Sequence, residues 1–168
     1  LEKGLDVVSE TISVLERQGV AHQVLIVGEG PARANFAKEH PKAVFTGHLM
    51  REELGRAVAS MDMFLFPSVT ETFGNVTLEA MACGLPVVAS NATGSRDIIS
   101  DGVDGRLIKP GDIKAFAEAV RIYCEDAPVR LKAGEAGLAK SKQYSWDAVN
   151  QAMVDGYIDV IEARKALG

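Results

Sequence analysis

Five short, mostly apolar runs alternate with amphipathic helical patterns along the chain, and this alternation constrains the fold more than any other feature. The runs lie at residues 24–27, 43–46, 63–66, 86–90 and 106–108. Each is followed by a turn and then by apolar residues spaced three or four apart, which is the spacing of a helix. Repeated crossovers between continuous apolar strands predict a Rossmann-like, doubly wound parallel α/β sheet with helices on both faces.

The two ends of the chain add to this expectation. Residues 4–17 have the apolar spacing of a helix, so the chain opens on a helix rather than a strand. In a sheet of order 3-2-1-4-5-6 the strand before that helix is central, and its absence would split the sheet. From Asp112 onward only helical patterns remain, with a predicted cap at Ser145. We expect these helices to pack against the sheet as a tail, with Trp146 and Tyr157 as core anchors.

Length and composition favour one domain, residues 1–168, without a nucleic-acid or membrane surface. The 168 residues suit a single compact unit. The 23 acidic and 18 basic residues give a net charge of -5 with no long basic run, which argues against nucleic-acid binding and against an anionic membrane surface. No run approaches the roughly 20 apolar residues of a membrane span, so we expect a soluble protein.

Cysteine and histidine usage predicts neither a disulfide framework nor a metal site. Cys83 and Cys124 each fall in a helical apolar pattern, so buried free thiols and a cytoplasmic location are expected. The three histidines, His22, His40 and His48, are scattered without metal-ligand spacing. We therefore predict no metal and no cofactor.

A glycine-rich loop at residues 28–31, Gly-Glu-Gly-Pro, follows the first predicted strand. In an open parallel sheet, ligands bind beyond the carboxyl ends of the strands, where helix N-termini present free amides. The loop lacks the third glycine of a dinucleotide fingerprint and the Gly-Lys-Ser/Thr ending of a phosphate loop, so a plain tight turn is the simpler interpretation.

A second glycine turn, at Gly74 and Asn75, opens a predicted helix at residues 75–83. Glycine permits the turn, asparagine can cap, and the uncovered amides form an anion site, although an ordinary cap would look the same. Glu71 precedes the turn, and Glu79 shares the helix face of Asn75 four residues later. Carboxylates repel phosphate but accept hydrogen bonds from vicinal hydroxyls, which fits a sugar attached to a diphosphate. Each glutamate alone is as well explained as a solvated acid; the combination favours a function.

These segments resemble the C-terminal, donor-binding half of GT-B glycosyltransferases, in particular the retaining enzymes of glycosyltransferase family 4 (glycosyl transferases group 1). The motif with the highest specificity is MFLFPSVTETFGNVTLEAMACGLPVVAS at 63–90, with its two glutamates separated by seven residues. The other motifs are EKGLD at 2–6, LIVGEGP at 25–31, VFTGHL at 44–49, DGVDGRLIKPGD at 101–112 and YSWD at 144–147. Together they cover nearly the whole chain.

The resemblance implies a role for each matching residue. Lys3 would contact the donor diphosphate and stabilise charge on the leaving nucleotide, although by itself it reads as an exposed terminal lysine. Glu71 would lie near the hydroxyls of the transferred sugar, and Glu79 would bind the ribose. The family also implies donor-binding positions around the base at Gly28, Gly30, Leu49 and Met50, and around the sugar and diphosphate at Phe73, Gly74, Asn75, Val76 and Thr77.

Two departures from the family pattern affect the expected site. Family members carry a strand and an arginine shortly before the Lys3 position, and this chain begins after both. The family's double glycine appears here as Gly94-Ser95, with Asp97 near where a glutamate is common. The contact of that loop with the donor is therefore left open.

The resemblance implies a retaining hexosyltransferase that moves a sugar from a nucleoside-diphosphate donor, a UDP-sugar or GDP-mannose, to an acceptor hydroxyl. Catalysis would rest on positioning and on electrostatic stabilisation of the departing diphosphate, without metal. The implied partner is an N-terminal acceptor-binding domain of the same parent protein, through which any peripheral membrane association would occur; without it the chain would transfer nothing. Alternatives are a GT-B sugar phosphorylase or nucleotide-sugar epimerase, and a non-catalytic module that binds a nucleotide or phosphosugar.

Overall fold

Strands and helices alternate as the sequence predicts, in a computed structural model that describes residues 4–166 apart from the side chains of Trp146 and Ala166. The strands are β1 (Leu25–Val27), β2 (Val44–Gly47), β3 (Phe64–Phe66), β4 (Val87–Ser90) and β5 (Gly105–Ile108). The helices are α1 (Leu5–Arg17), α2 (Arg33–Glu39), α3 (Arg51–Ala59), α4 (Asn75–Ala82), α5 (Ser95–Ile98), α6 (Ile113–Glu125), α7 (Ala127–Ser141) and α8 (Trp146–Ala166), with a 3-10 turn at Lys142–Tyr144.

The strands form two parallel sheets rather than one. β1 pairs with β2, with Leu25 opposite Val44, and β3, β4 and β5 form a second sheet in that order. Within residues 4–166, no strand pairs with the second edge of β1 or of β3. The expected division of the sheet is therefore observed.

Helices cover both faces of the three-stranded sheet because the side chains of β4 alternate between them. Val88 packs in one core with Phe116 of α6. Val87 and Ala89 point to the other face and pack in a core with Met81 of α4. All of β4 is buried, as the predicted parallel sheet with two covered faces requires.

Helix α1 contacts both sheets. Leu15, near its end, packs in the core that contains Val88. Val8 and Ile12 pack instead with Phe36 of α2, against β1 and β2. Burial of each such aliphatic side chain contributes about 1.5–3 kcal/mol, so α1 holds the two sheets together across the division.

The cap predicted at Ser145 is confirmed, because its Oγ accepts a hydrogen bond from the Ala148 amide at 3.2 Å. Asp112 and Asp126 cap α6 and α7 in the same way, through the amides of Ala115 and Val129, each at 3.0 Å. These caps fix where each helix of the C-terminal segment begins.

The expectation that the whole tail packs on the sheet is wrong for α8. Tyr157 is 64% exposed and Val160 is 67% exposed, so Tyr157 is not a core anchor. The apolar residues of α8 are spaced as on a helix face that packs in a core. Among residues 4–166, no element covers that face. The predicted role of Trp146 falls on a side chain outside the described part of the structure.

Candidate functional site

The loop of residues 67–74 lies beyond the carboxyl end of β3 and carries the central motif. Pro67 ends the strand because its nitrogen has no hydrogen to donate. Its carbonyl accepts a hydrogen bond from the buried Ser90 hydroxyl at 2.9 Å, which ties the loop to the end of β4. The same carbonyl lies against Gly4 at the start of α1, where an added β-carbon would be only 2.7 Å from it. The loop is thus joined at its start to two other elements.

Helix α4 begins at the other end of this loop and presents free amides there. Gly74 is its N-cap residue, with a left-handed φ of 90° that glycine adopts without strain. The first intrahelical bond runs from the Leu78 amide to the Gly74 carbonyl, so the amides of Asn75, Val76 and Thr77 precede the ladder. The expectation that Asn75 caps the helix is wrong: Gly74 occupies the cap position, and no side chain caps α4. The anion site that the sequence predicts here would therefore consist of backbone amides and the helix dipole.

The two glutamates of the motif flank this helix start. Glu71 is half-buried in the loop, whereas Glu79 is exposed on the second turn of α4. Both carboxylates lie within a few residues of the Gly74 turn, one before it and one after it.

The charge of Glu79 also acts on Cys83, one turn further on at the end of α4. Burial raises the pKa of the Cys83 thiol, and the negative charge of Glu79 raises it further.

The loop after β4 reaches the same place through Gly94. This glycine is buried, and an added β-carbon would lie 2.9 Å from the Glu71 carbonyl oxygen and 3.2 Å from the Gly74 nitrogen. The side chain of Ile98 in α5 packs against Gly74: a β-carbon added at Gly74 would lie 3.0 Å from the Ile98 Cδ1. The loop that carries Gly94 and Ser95, whose contact with the donor the sequence left open, thus lies against the segment that carries Glu71.

The positions proposed for the base lie at the end of the other sheet. The Gly28 amide donates a hydrogen bond to the Gly47 carbonyl at 2.9 Å, so the loops after β1 and β2 meet. Glu29 pairs with Arg33, whose guanidinium lies 5.3 Å from the centre of the Phe45 ring. Leu49 is half-buried, whereas Gly30 and Met50 are exposed. The structure brings these loops together but sets them apart from the Glu71 group by the division of the sheet.

Phe73 connects the site loop to the helical tail. Its side chain is 54% exposed, and its ring meets that of Tyr144 edge-on at a centroid distance of 6.3 Å. Tyr144 ends the 3-10 turn that leads into α8. The site loop is therefore in direct contact with the turn that precedes α8.

Four further observations concern the site and the rest of the described chain. Lys3 lies outside the described residues. In residues 4–166, no group of three or more His, Cys, Asp or Glu side chains is arranged to hold a metal ion. None of the helices in that range has both the length and the apolar character needed to cross a membrane. An open groove of about 450 Å³ follows the carboxyl end of β5 and, among the residues that the structure describes, is lined by 109–114.

Comparison with known proteins identifies the family. The family model for Glycosyl transferases group 1 matches residues 1–126, three quarters of the chain. The chain belongs to this family. Its fold is the C-terminal half of a GT-B fold, an α/β arrangement of parallel strands with a helical C-terminal tail.

Individual relatives agree with this assignment. The chain is 37% identical over 153 residues to the sulfoquinovosyl transferase SQD2 of Arabidopsis thaliana, a match that covers 88% of this chain and 29% of the relative. It is 34% identical over 139 residues to a GDP-mannose-dependent alpha-mannosyltransferase of Corynebacterium glutamicum, covering 83% and 34%. Among solved structures, sucrose-phosphate synthase from Thermosynechococcus elongatus has a TM-score of 0.78 at 26% identity, covering 96% and 43%. The chain thus spans about a third of the length of these curated relatives.

Sequence reasoning did not anticipate the supports beneath the motif. The hydrogen bond from Ser90 to Pro67 joins two segments that are far apart in the chain, and so does the packing of Gly94 against Glu71. A pattern within one segment cannot predict either contact. The one signal in the sequence is Ser90, a polar residue at the end of an otherwise apolar strand. The roles assigned to the site residues remain predictions.

Proposed function

We propose that this chain is the donor-binding domain of a retaining glycosyltransferase, which transfers a hexose from a nucleoside-diphosphate sugar to an acceptor hydroxyl. The observation that carries the proposal is the start of α4, where free backbone amides lie between Glu71 and Glu79 at the end of β3. Membership of the glycosyl transferases group 1 family supports it. The named activities of the mannosyl and sulfoquinovosyl transferases support sugar transfer.

The chemistry follows from the charges at the helix start. The amides of Asn75, Val76 and Thr77 and the positive end of the α4 dipole would bind the diphosphate and stabilise the charge that grows on it as the glycosidic bond breaks. Glu71 would accept hydrogen bonds from the sugar hydroxyls, and Glu79 from the ribose. Lys3 would add a cation to the same diphosphate. The two carboxylates would bind hydroxyls on either side of the phosphates. They would thus orient the donor without lying next to its negatively charged phosphates.

We also propose that an acceptor-binding domain of the same parent protein completes the active site. Three features support this. In the described part of the chain, the groove at residues 109–114 has walls from one segment, the apolar face of α8 is exposed, and no strand lies between β1 and β3. A central strand from the preceding part of the parent protein would join the two sheets in the order 3-2-1-4-5-6.

The test is transfer by the full-length parent protein, assayed with UDP-, GDP- and ADP-sugars. Glu71→Gln should abolish most transfer while free nucleoside diphosphate still binds, and Glu79→Gln should weaken nucleotide binding. Glu135→Gln, an exposed glutamate on α7, is the matched control and should change neither. Transfer that survives Glu71→Gln undiminished would contradict the proposal.

Two further readouts separate the alternatives. The anomeric configuration of the product, followed by NMR, shows retention if the proposal is correct. A requirement for inorganic phosphate would instead identify a phosphorylase, and nucleotide binding without any turnover would identify a non-catalytic module.

A further inference from the structure

The α-carbon of Gly94 packs directly on the backbone of the loop that carries Glu71. A β-carbon added at Gly94 would lie 2.9 Å from the Glu71 carbonyl oxygen, 3.1 Å from the Glu71 Cβ and 3.2 Å from the Gly74 nitrogen. Ordinary van der Waals contacts begin at 3.4 Å, so a methyl group there must displace its neighbours by roughly half an ångström. The first of these atoms belongs to the backbone and cannot rotate away.

The geometry points to Gly94 as a positioning residue for Glu71: the missing side chain at Gly94 sets how far Glu71 stands from the end of β4. Gly94 does not itself touch the sugar in this scheme. It acts through the backbone of Glu71, and the inference rests on the proposed role of that carboxylate toward the sugar hydroxyls.

If a side chain were added at Gly94, the burial of the neighbouring elements would determine which of them moves. β4 is buried over its whole length, and Ile98, which packs beneath Gly74, is also buried. The loop of residues 67–74 is more open, since Thr72 and Phe73 are exposed, and so is the short loop before Gly94, where Asn91 and Thr93 are exposed. A side chain at position 94 would therefore push these two loops apart and displace Glu71, while β4 and α5 stay in place.

The same contact explains which residue of the Gly94-Ser95 pair must be glycine. Gly94 has φ 83° and ψ -67°, a region that side-chain-bearing residues rarely adopt, and it makes the close contact. Ser95 is buried and begins α5. The replacement of one family glycine at Ser95 thus leaves the contact with Glu71 intact.

Gly94→Ala tests the inference, with Gly102→Ala as its control. Gly102 has a similar left-handed φ, 76°, but an added β-carbon there meets nothing within 4 Å. Both substitutions impose backbone strain, and only Gly94→Ala crowds Glu71. In NMR spectra of this chain we expect Gly94→Ala to shift the amides of residues 71–75 and Gly102→Ala to leave them unchanged.

The functional readout uses the full-length protein. Because a misplacement of about 1 Å in a reacting group can cost about 100-fold in rate, we expect Gly94→Ala to lower kcat by about tenfold or more. The dissociation constant for free nucleoside diphosphate should change much less than kcat. Of the three amides proposed to bind the diphosphate, only that of Asn75 adjoins the displaced loop, and α4 itself is held by the buried Ala80 and Met81. A purely structural role would affect both quantities alike.

Each outcome separates this inference from the proposed function. Unchanged amides at residues 71–75, or equal losses in Gly94→Ala and Gly102→Ala, would overturn the positioning role. If the wild-type protein transfers sugar from no nucleotide donor, the proposed function fails, and the amide comparison still decides whether Gly94 positions Glu71. Should Gly94→Ala not fold, NMR of the wild-type chain decides the contact: NOEs between the Gly94 α-protons and the Glu71 β-protons must be present, because a β-carbon added at Gly94 would lie 3.1 Å from the Glu71 Cβ. Their absence would overturn the inference.

Discussion

Lys140 Nζ lies 3.1 Å from Asp104 Oδ2, and this pair ties the end of α7 to the turn before β5. The Asp104 side chain is 3% exposed, whereas that of Lys140 is 23% exposed. Asp104 also accepts a hydrogen bond from the Ser100 amide at 2.8 Å. The carboxylate is therefore fully desolvated and depends on these two partners for its charge.

Lys140→Met should destabilise the chain because it leaves the Asp104 carboxylate buried without a cation. Breaking a buried pair costs about 3–5 kcal/mol, and partial solvation of Lys140 reduces the expected loss to about 2–3 kcal/mol. Urea unfolding measures it. Lys132→Met, at an exposed position of the same helix, should stay within about 0.5 kcal/mol of wild type. Equal stability of the two variants would show that the pair contributes nothing.

Gly134→Ala should destabilise the chain although alanine favours helices. An added β-carbon at Gly134 would lie 2.1 Å from the Gly84 carbonyl oxygen, so α7 could no longer approach the end of α4. Gly55→Ala in α3 meets nothing within 4 Å and should stabilise by up to about 1 kcal/mol from helix propensity alone. Thermal unfolding of both variants should therefore show midpoint shifts of opposite sign, and a rise for Gly134→Ala would refute the close packing.

The apolar face of α8 should matter only when a partner domain covers it. Tyr157→Lys with Val160→Lys should change the unfolding free energy of this chain by less than about 0.5 kcal/mol, because both side chains are exposed. In the full-length parent protein the same change should lower the thermal midpoint and the transfer rate. Asp155→Asn with Asp159→Asn, on the opposite side of the helix, is the control. Equal effects in the isolated chain and in the parent protein would argue against a covering domain.

Both free thiols should react slowly with iodoacetamide at neutral pH. Burial raises the pKa of Cys83, with Glu79 adding to the shift, and burial also raises the pKa of Cys124. The thiolate is the reactive form, so a raised pKa leaves less of it at a given pH, and alkylation should accelerate only as the pH rises above the ordinary thiol range. Mass spectrometry after timed labelling measures the rates, with free cysteine as the reference. Faster labelling of Cys83 than of free cysteine at pH 7 would contradict this.

The sequence predicted the elements well because each depends on neighbours within one segment. The β4 run is apolar on both faces and is buried on both faces, and Ser145 caps α8 through an amide three residues later. The helix start at Asn75 was also predicted, but its cap was not, because the choice between Asn75 and Gly74 depends on the φ of Gly74. Local patterns do not determine that angle.

Features that join distant segments could not be predicted in the same way. The spacing of Val149, Met153 and Tyr157 shows that α8 has an apolar face but not what covers it. The contact of Gly94 with Glu71 depends on the order of β3 and β4 in the sheet. It also depends on how far the loops after these two strands extend beyond the sheet. The resemblance to a family left open whether this loop contacts the donor, and the structure supplied its contact with Glu71.

The loop of residues 67–74 is attached at its start by Ser90 and Gly4 and near its end by Gly94. An eight-residue segment that was free to move would lose about 1–2 kcal/mol of backbone entropy per residue on becoming fixed around a ligand. Here most of that loss accompanies folding rather than binding. If this is the donor site that we propose, a ligand would meet backbone amides already in place, and little of its binding free energy would go into ordering the loop.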